Sequence, residues 1–245
     1  MRLDDVEIKI SFSQHETSTA VSALQLPPRT NPWKIYFCED VNVGSLQTPL
    51  LDLHVVLRAR VRPDDDDDFT VKLRPCRCSQ LPDRWIEDTT RLKVEADWAG
   101  NRHLLAASYT RDRPDDVIPA VVDGQRPFTD LFTEGQRDFL AGCAGAFLNL
   151  DALSVLPPVT ATRWKELAAA PPELGLRAER WTVGDLDFLE LSTTARVEEA
   201  LAKQAAAVRF VESLGLVAPA DQETKTRRVL DHLVRARVQA ASGSS

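Results

Sequence analysis

No apolar run in this chain approaches the roughly 18 residues that a membrane-spanning helix requires, which excludes a helical membrane protein. The N-terminus, Met1-Arg2-Leu3-Asp4-Asp5, lacks the apolar core of a signal peptide, so the expectation is a cytoplasmic protein. Cysteine is sparse, with Cys38, Cys76, Cys78 and Cys143 only. The spacing Cys76-Arg77-Cys78 fits neither a redox pair nor a zinc knuckle, and no second pair stands near it. All four are therefore read as reduced thiols. Basic residues are in deficit, 30 against 37 acidic, for a net charge of −7, so the surface as a whole disfavours nucleic acid. The four histidines, His15, His54, His103 and His232, fall into no usable spacing, and no internal repeat is visible.

What the chain does have is a rhythm of charge at every second position. It runs through Asp5-Val6-Glu7-Ile8-Lys9, Arg58-Ala59-Arg60-Val61-Arg62, Thr70-Val71-Lys72-Leu73-Arg74 and Lys93-Val94-Glu95-Ala96-Asp97. Arg163-Trp164-Lys165, Arg177-Ala178-Glu179 and Phe188-Leu189-Glu190-Leu191 continue it. A strand sends alternate side chains to opposite faces, so each segment has one ionic and one mostly apolar face. The ionic faces meet bulk water or converge on an enclosed lumen.

Strands are expected at 4–12, 33–38, 51–62, 69–75, 91–98, 103–111, 155–166, 176–183 and 186–193. Trp98-Ala99-Gly100-Asn101 and Gly184-Asp185 read as hairpin turns. Residues 14–25 are helix-compatible up to Pro27-Pro28. Thr133-Glu134-Gly135-Gln136 is a capping box that opens a helix to about Gly142. Residues 112–127 show no clear element. Helices are expected at 196–214, ended by Gly215, and at 221–241 with Asp221 as N-cap. The chain thus reads as mainly β, with about eight strands in mostly antiparallel hairpins. Eight strands close a barrel just wide enough for side chains or one small ligand. Residues 1–194 form the barrel, and helices in 195–241 pack on it.

The converging set would be Lys9, Arg58, Arg60, Lys72, Arg74, Arg163 and Lys165 with Asp5, Glu7, Glu95, Asp97, Glu179 and Glu190. Such a lumen is costly unless its charges are paired. A polyphosphate would satisfy the cations, and Mg²⁺ or Mn²⁺ would satisfy the carboxylates. One ligand set accounts for both signs.

The same residues resemble a known family. Asp5-Val6-Glu7-Ile8-Lys9 is similar to the N-terminal Glu-x-Glu-x-Lys signature of CYTH domains, the triphosphate tunnel metalloenzymes. Leu57-Arg58-Ala59-Arg60 followed by Thr70-Val71-Lys72-Leu73 resembles that family's paired arginines and lysine strand, and Tyr36-Phe37 its aromatic pair. Val94-Glu95-Ala96-Asp97, Leu189-Glu190-Leu191-Ser192-Thr193 and Thr224-Lys225-Thr226-Arg227 resemble a bacterial, actinobacterial branch. The resemblance spans residues 4 to 235. It implies an eight-stranded antiparallel tunnel, a bound small triphosphate or polyphosphate with Mg²⁺ or Mn²⁺, and hydrolysis of a phosphoanhydride or, in one branch, cyclisation of ATP. Carried over, Asp5, Glu7, Asp97, Glu179 and Glu190 become metal ligands. Lys9, Arg58, Arg60, Lys72, Arg74, Arg163, Lys165 and Lys225 become phosphate binders, Lys225 closing the tunnel mouth. Lys72 or Glu95 becomes the base; neighbouring Arg58 and Arg60 are expected to lower the pKa of Lys72.

Three positions depart from the family pattern. Asp5 replaces the first Glu, the acids of the last strand are reduced to Glu190, and Cys38-Glu39-Asp40 follows the aromatic pair. These departures motivate a second expectation, a weakly active module that binds polyphosphate or nucleotide. No base pocket for a cyclase is evident. Away from the lumen, Arg62 and Lys93 are read as solvating strand ends, Asp64 to Asp68 as a solvated turn, and the five tryptophans as packing residues.

Overall fold

The computed structural model describes residues 3, 5–41, 46–87, 92–144, 148–219 and 225–242. Its strands are β1 (Val6–Ser13), β2 (Trp33–Glu39), β3 (Val55–Val61), β4 (Asp67–Leu73), β5 (Leu92–Ala99), β6 (Arg102–Arg113), β7 (Ser154–Val155), β8 (Val159–Trp164), β9 (Arg177–Val183) and β10 (Leu186–Ala195). They form one sheet in the order β3-β4-β6-β5-β1-β10-β9-β8-β2-β7, and a further pairing of β3 with β2 closes it into a barrel. The short β7 hangs on β2 beside the ring, so nine strands make the wall. The expectation was about eight strands, mostly antiparallel, and the family resemblance implied an eight-stranded antiparallel tunnel. A closed ring with an odd number of strands must contain a parallel pair, and β1 against β5 supplies it, with Glu7 opposite Asp97. Every other pairing in the ring is antiparallel.

Local chemistry sets the strand ends. The strand expected from residue 51 begins only at Val55, because Pro49 opens the short helix α2 (Pro49–Asp52) and His54 turns the chain at φ 65°. Pro157-Pro158 separates β7 from β8 within the expected 155–166, since proline cannot donate to the ladder. The hairpin at Gly100 and the turn at Gly184 form as expected, both glycines at positive φ. Helix α1 (His15–Ala23) falls within 14–25. Besides α2, two short helices were not anticipated: α3 (Asp83–Ile86), and α4 (Val117–Val122) inside 112–127, buried through Val117, Ile118 and Val121. Helix α5 (Glu134–Cys143) carries the expected cap, Gln136 N–H donating to Thr133 Oγ1 at 3.2 Å. Helices α6 (Ala200–Ser213) and α7 (Lys225–Ser242) complete the chain; the N-cap assigned to Asp221 lies outside the described residues.

The core lies outside the barrel wall. In β1, Val6, Ile8, Ile10 and Phe12 are almost fully buried on the outer face, while Glu7, Lys9 and Ser11 face the lumen. Each such apolar side chain contributes about 1.5–3 kcal/mol on burial. Helices α4 and α5 pack over Leu57, Phe69, Val71 and Tyr109; α1 and α6 pack over Phe12, Leu189 and Leu191. Helix α7 behaves differently. Its Val229, Leu230, Leu233 and Val234 join Phe37, Trp181 and Phe188, which stand on the inner face beside the ionic positions. It therefore stops one end of the lumen with an apolar plug.

Candidate functional site

The lumen is a cavity of about 630 Å³. Hairpin register brings its wall together: Arg58, Thr70 and Thr110 stand abreast on β3, β4 and β6, Lys72, Ser108 and Lys93 on β4, β6 and β5, and Glu179 beside Glu190 on β9 and β10. Asp5, Glu7, Lys9, Arg58, Arg60, Lys72, Arg74, Glu95, Arg163, Glu179, Glu190 and Lys225 all line it. The sequence-derived set is thus almost entirely inward.

Two members sit differently from expectation. Lys165 is exposed just beyond the end of β8 and lines a separate, outer cavity. Asp97 shares the inner face of β5 but lies fully buried beneath Lys9 and Arg74, without contact with the open lumen.

Lysines bridge the carboxylates. Lys9 Nζ is 2.8 Å from Glu7 and 3.0 Å from Asp97. Lys225 Nζ, reaching in from the first turn of α7, is 3.2 Å from Glu179 and 3.0 Å from Glu190. Lys72 is 3.3 Å from Glu95, whose other oxygen is 2.5 Å from Lys93. Burial alone would discharge these groups, and their neighbours reverse it. Burial opposes the charge of Lys9, yet Asp97, Glu7 and Glu190 raise its pKa well above the lysine range. Burial likewise works against ionised Glu7, but Lys9, Lys72 and Lys93 hold it far below the usual carboxylate range.

Lys72 shifts in the opposite direction. Burial, then the like charge of Lys9, lowers its pKa, with Glu95 and Asp97 opposing. The expected direction holds, but burial and Lys9 drive the shift in place of Arg58 and Arg60. Arg58 is the strained cation. Burial, then Arg60, lowers its pKa to about 10, and its Nε has no hydrogen-bond partner among the described residues.

The acidic run is not a plain solvated turn. Asp64 to Asp66 are exposed, but Asp67 and Asp68 begin β4 and are buried. Asp68 takes a two-point contact from Arg60, at 2.9 and 2.6 Å, and lies 3.2 Å from Arg62. Arg62 is no solvated strand end either: its side chain is 10% exposed, and Arg60, Arg62 and Arg163 surround the Trp33 ring at 5.4–5.7 Å. Lys93 does stay largely exposed, at the lumen edge. Sequence reasoning also missed Trp181, whose Nε1–H donates to Glu179 at 2.5 Å and whose ring lies 4.0 Å from Lys225 Nζ. Both omissions had a signal. Asp68 keeps phase with Thr70 and Lys72, and Trp181 with Glu179.

The Glu179 knot is sensitive to acid. Burial would raise its pKa, but Lys225, Arg58 and the Trp181 donor hold it down at about 2. A depressed carboxylate stabilises the fold above its unfolded value of about 4.3 and loses that contribution as pH falls toward 2. Denaturation between pH 5 and pH 2 should therefore show an acid-side loss of stability that is flatter in Glu179→Gln.

No family model matches the chain, and no curated protein matches it. Solved structures do, two of them with more than half of the maximal superposition score. A candidate adenylate cyclase from Bacillus halodurans superimposes with a TM-score of 0.57 at 11% identity, over 92% of this chain and 97% of that one. A candidate adenylyl cyclase from Hippeastrum, described as having a dominant triphosphatase activity, superimposes with a TM-score of 0.53 at 12% identity, over 92% and 94%. Likeness at such low identity speaks to architecture alone. The chain thus shares with these two proteins a closed β-barrel fold along nearly its whole length.

Proposed function

We propose that the protein is a divalent-metal-dependent triphosphatase that splits a phosphoanhydride bond of a small triphosphate inside its tunnel. One observation carries the reading. The wall buries its apolar face outward under helices and turns cations and carboxylates of both signs into an enclosed lumen. Burying charges of both signs in one lumen is costly, and a polyanion with hard cations offsets that cost.

The donor chemistry fits such ions. Among the described residues no three acidic, histidine or cysteine side chains form a ready cage. Mg²⁺ does not need one, since it is commonly bound by one or two carboxylates plus substrate phosphates. Glu179 with Glu190, and Glu7 with Asp5, would hold ions in this way once Lys225 and Lys9 turn toward phosphate. Asp97 Oδ1 is buried without a hydrogen-bond partner among the described residues. A divalent ion so held supplies charge neutralisation at the phosphate oxygens.

The chain's own groups do the rest. Arg58, Arg60, Lys9, Lys72 and Arg74 hold the triphosphate extended. Glu95, or Lys72 in its neutral form, accepts the proton of a water whose oxygen attacks the terminal phosphorus, while the anhydride bond breaks and its electrons leave with the remaining diphosphate. Incubation with tripolyphosphate, ATP and thiamine triphosphate, each with Mg²⁺ or Mn²⁺, tests the reading. Metal-dependent phosphate release supports it, and cyclic AMP as main product overturns it. Lys72→Ala should lower kcat by about 10²-fold or more with the circular dichroism spectrum unchanged. Wild-type turnover in that variant would refute the assignment.

A second reading has an observation of its own. Lysines already bridge Glu7 with Asp97 and Glu179 with Glu190. If they stay there, the lumen binds triphosphate without splitting it, and tight binding with no product would be the result.

A further inference from the structure

Glu179 is held by a group that the hydrolytic chemistry does not use. Trp181 follows it by two residues on β9, so both side chains leave the strand on its inner face and line the lumen. The indole Nε1–H donates to Glu179 Oε1 at 2.5 Å. The same oxygen accepts from Lys225 Nζ at 3.2 Å, and that ammonium stands 4.0 Å from the indole ring centroid. Resting on the triphosphatase reading above, we propose that Trp181 is a positioning residue: its N–H fixes Glu179 by Oε1 and reserves Oε2 for the divalent ion that Glu179 and Glu190 share.

The indole is itself fixed. It is 2% exposed, its ring lies 5.7 Å from Phe37, and Ala161 and Phe188 pair with it across the ladder. Val229 and Leu233 of α7 belong to the same buried cluster. A donor with so little freedom offers its proton in one place, and the carboxylate that accepts it loses much of its own freedom. The neutrality of the donor matters as well. An ammonium on Oε1 repels a divalent ion on Oε2, so Lys225 has to withdraw toward phosphate when the ion arrives. The indole N–H carries no net charge and stays. It satisfies a buried carboxylate oxygen in both states, which a lysine cannot do. Hydrogen-bonding partners of metal-ligating groups orient them, and removing such a partner costs about 10–100-fold in metal affinity.

Trp181→Phe keeps an aromatic ring in the cluster and deletes the donor. Mn²⁺ binding is read from the loss of the free ion's paramagnetic resonance signal in the presence of diimidotriphosphate, whose bridging nitrogens resist hydrolysis, so turnover does not enter the measurement. The variant should bind Mn²⁺ about tenfold or more weakly than wild type, and should bind diimidotriphosphate without metal within about twofold of it. Lower thermal stability with unchanged Mn²⁺ affinity would assign Trp181 to packing alone and overturn the proposal, as would an equal loss of both affinities. Wild type that takes up no Mn²⁺ would overturn the proposal and the triphosphatase reading together, whereas wild-type binding that Trp181→Phe leaves untouched would overturn the proposal alone. The unsubstituted chain gives a second reading if Trp181→Phe does not fold. Of the indole N–H resonances of its five tryptophans, one should stand downfield through its bond to a carboxylate and stay there when Mg²⁺ joins bound diimidotriphosphate. No downfield resonance, or one that returns to the range of the others on adding Mg²⁺, would overturn the proposal.

Discussion

Lys9→Met should destabilise the fold by about 3–5 kcal/mol and abolish triphosphate binding. Its ammonium is shared between Glu7 and Asp97, and the Asp97 side chain has no exposed surface at all. Removing Lys9 leaves Asp97 charged, buried and half-satisfied, because Arg74 Nε, 2.9 Å away, is poorly aligned for a hydrogen bond. The loss comes mostly from the stranded partner. Combining Lys9→Met with Asp97→Asn should therefore be less damaging than Lys9→Met alone. Urea denaturation of the two single variants and the double variant measures that coupling. A stable Lys9→Met chain that still binds tripolyphosphate would refute both halves of the expectation.

The inward placement of Lys9 was legible from sequence because β1 alternates without a break, and a one-residue slip would have put Ile8 and Ile10 in the lumen. The same held for Arg58, Lys72 and Glu190. The strand count was less legible. Each of the nine wall segments carried a signal, yet hairpins are antiparallel by construction, and only the contact between β1 and β5, distant in sequence, is parallel. Nothing local in Glu7 or Asp97 announces that pairing. Asp68 was hidden by its context: within five consecutive acids, charge looked like solvation, whereas strand phase had already set it beside Arg60. Asp97 was placed on the correct face but not at the correct depth, which the side chains of Lys9 and Arg74 decide. The outer cavity was beyond reach, since the loops at 27–32 and 165–176 carry no periodicity that would bring them together.

Arg58→Met should have two effects of opposite sign. In the unliganded chain the guanidinium is desolvated, stands against Arg60, and has its pKa pulled down to about 10. Its Nε is buried without a hydrogen-bond partner among the described residues, a defect that costs about 1–3 kcal/mol. Methionine keeps much of the volume beside Phe37, the cross-strand neighbour, and removes both penalties, while Glu179 loses one of its supporting charges and keeps Lys225 and the Trp181 donor. The variant should gain about 1–3 kcal/mol in stability and lose about 10²-fold in affinity for tripolyphosphate, because a charge-assisted contact to a buried phosphate contributes about as much as the strain conceals. Thermal denaturation with and without tripolyphosphate reads both effects in one series. Wild-type protein should start lower and rise steeply with ligand, and Arg58→Met should start higher and rise little. A variant less stable than wild type would show that the other lumen carboxylates already satisfy Arg58. Unchanged ligand-induced stabilisation would show that the phosphates bind elsewhere. The opposed signs separate a residue kept for its ligand from one kept for the fold, since a structural cation would lose stability and binding together.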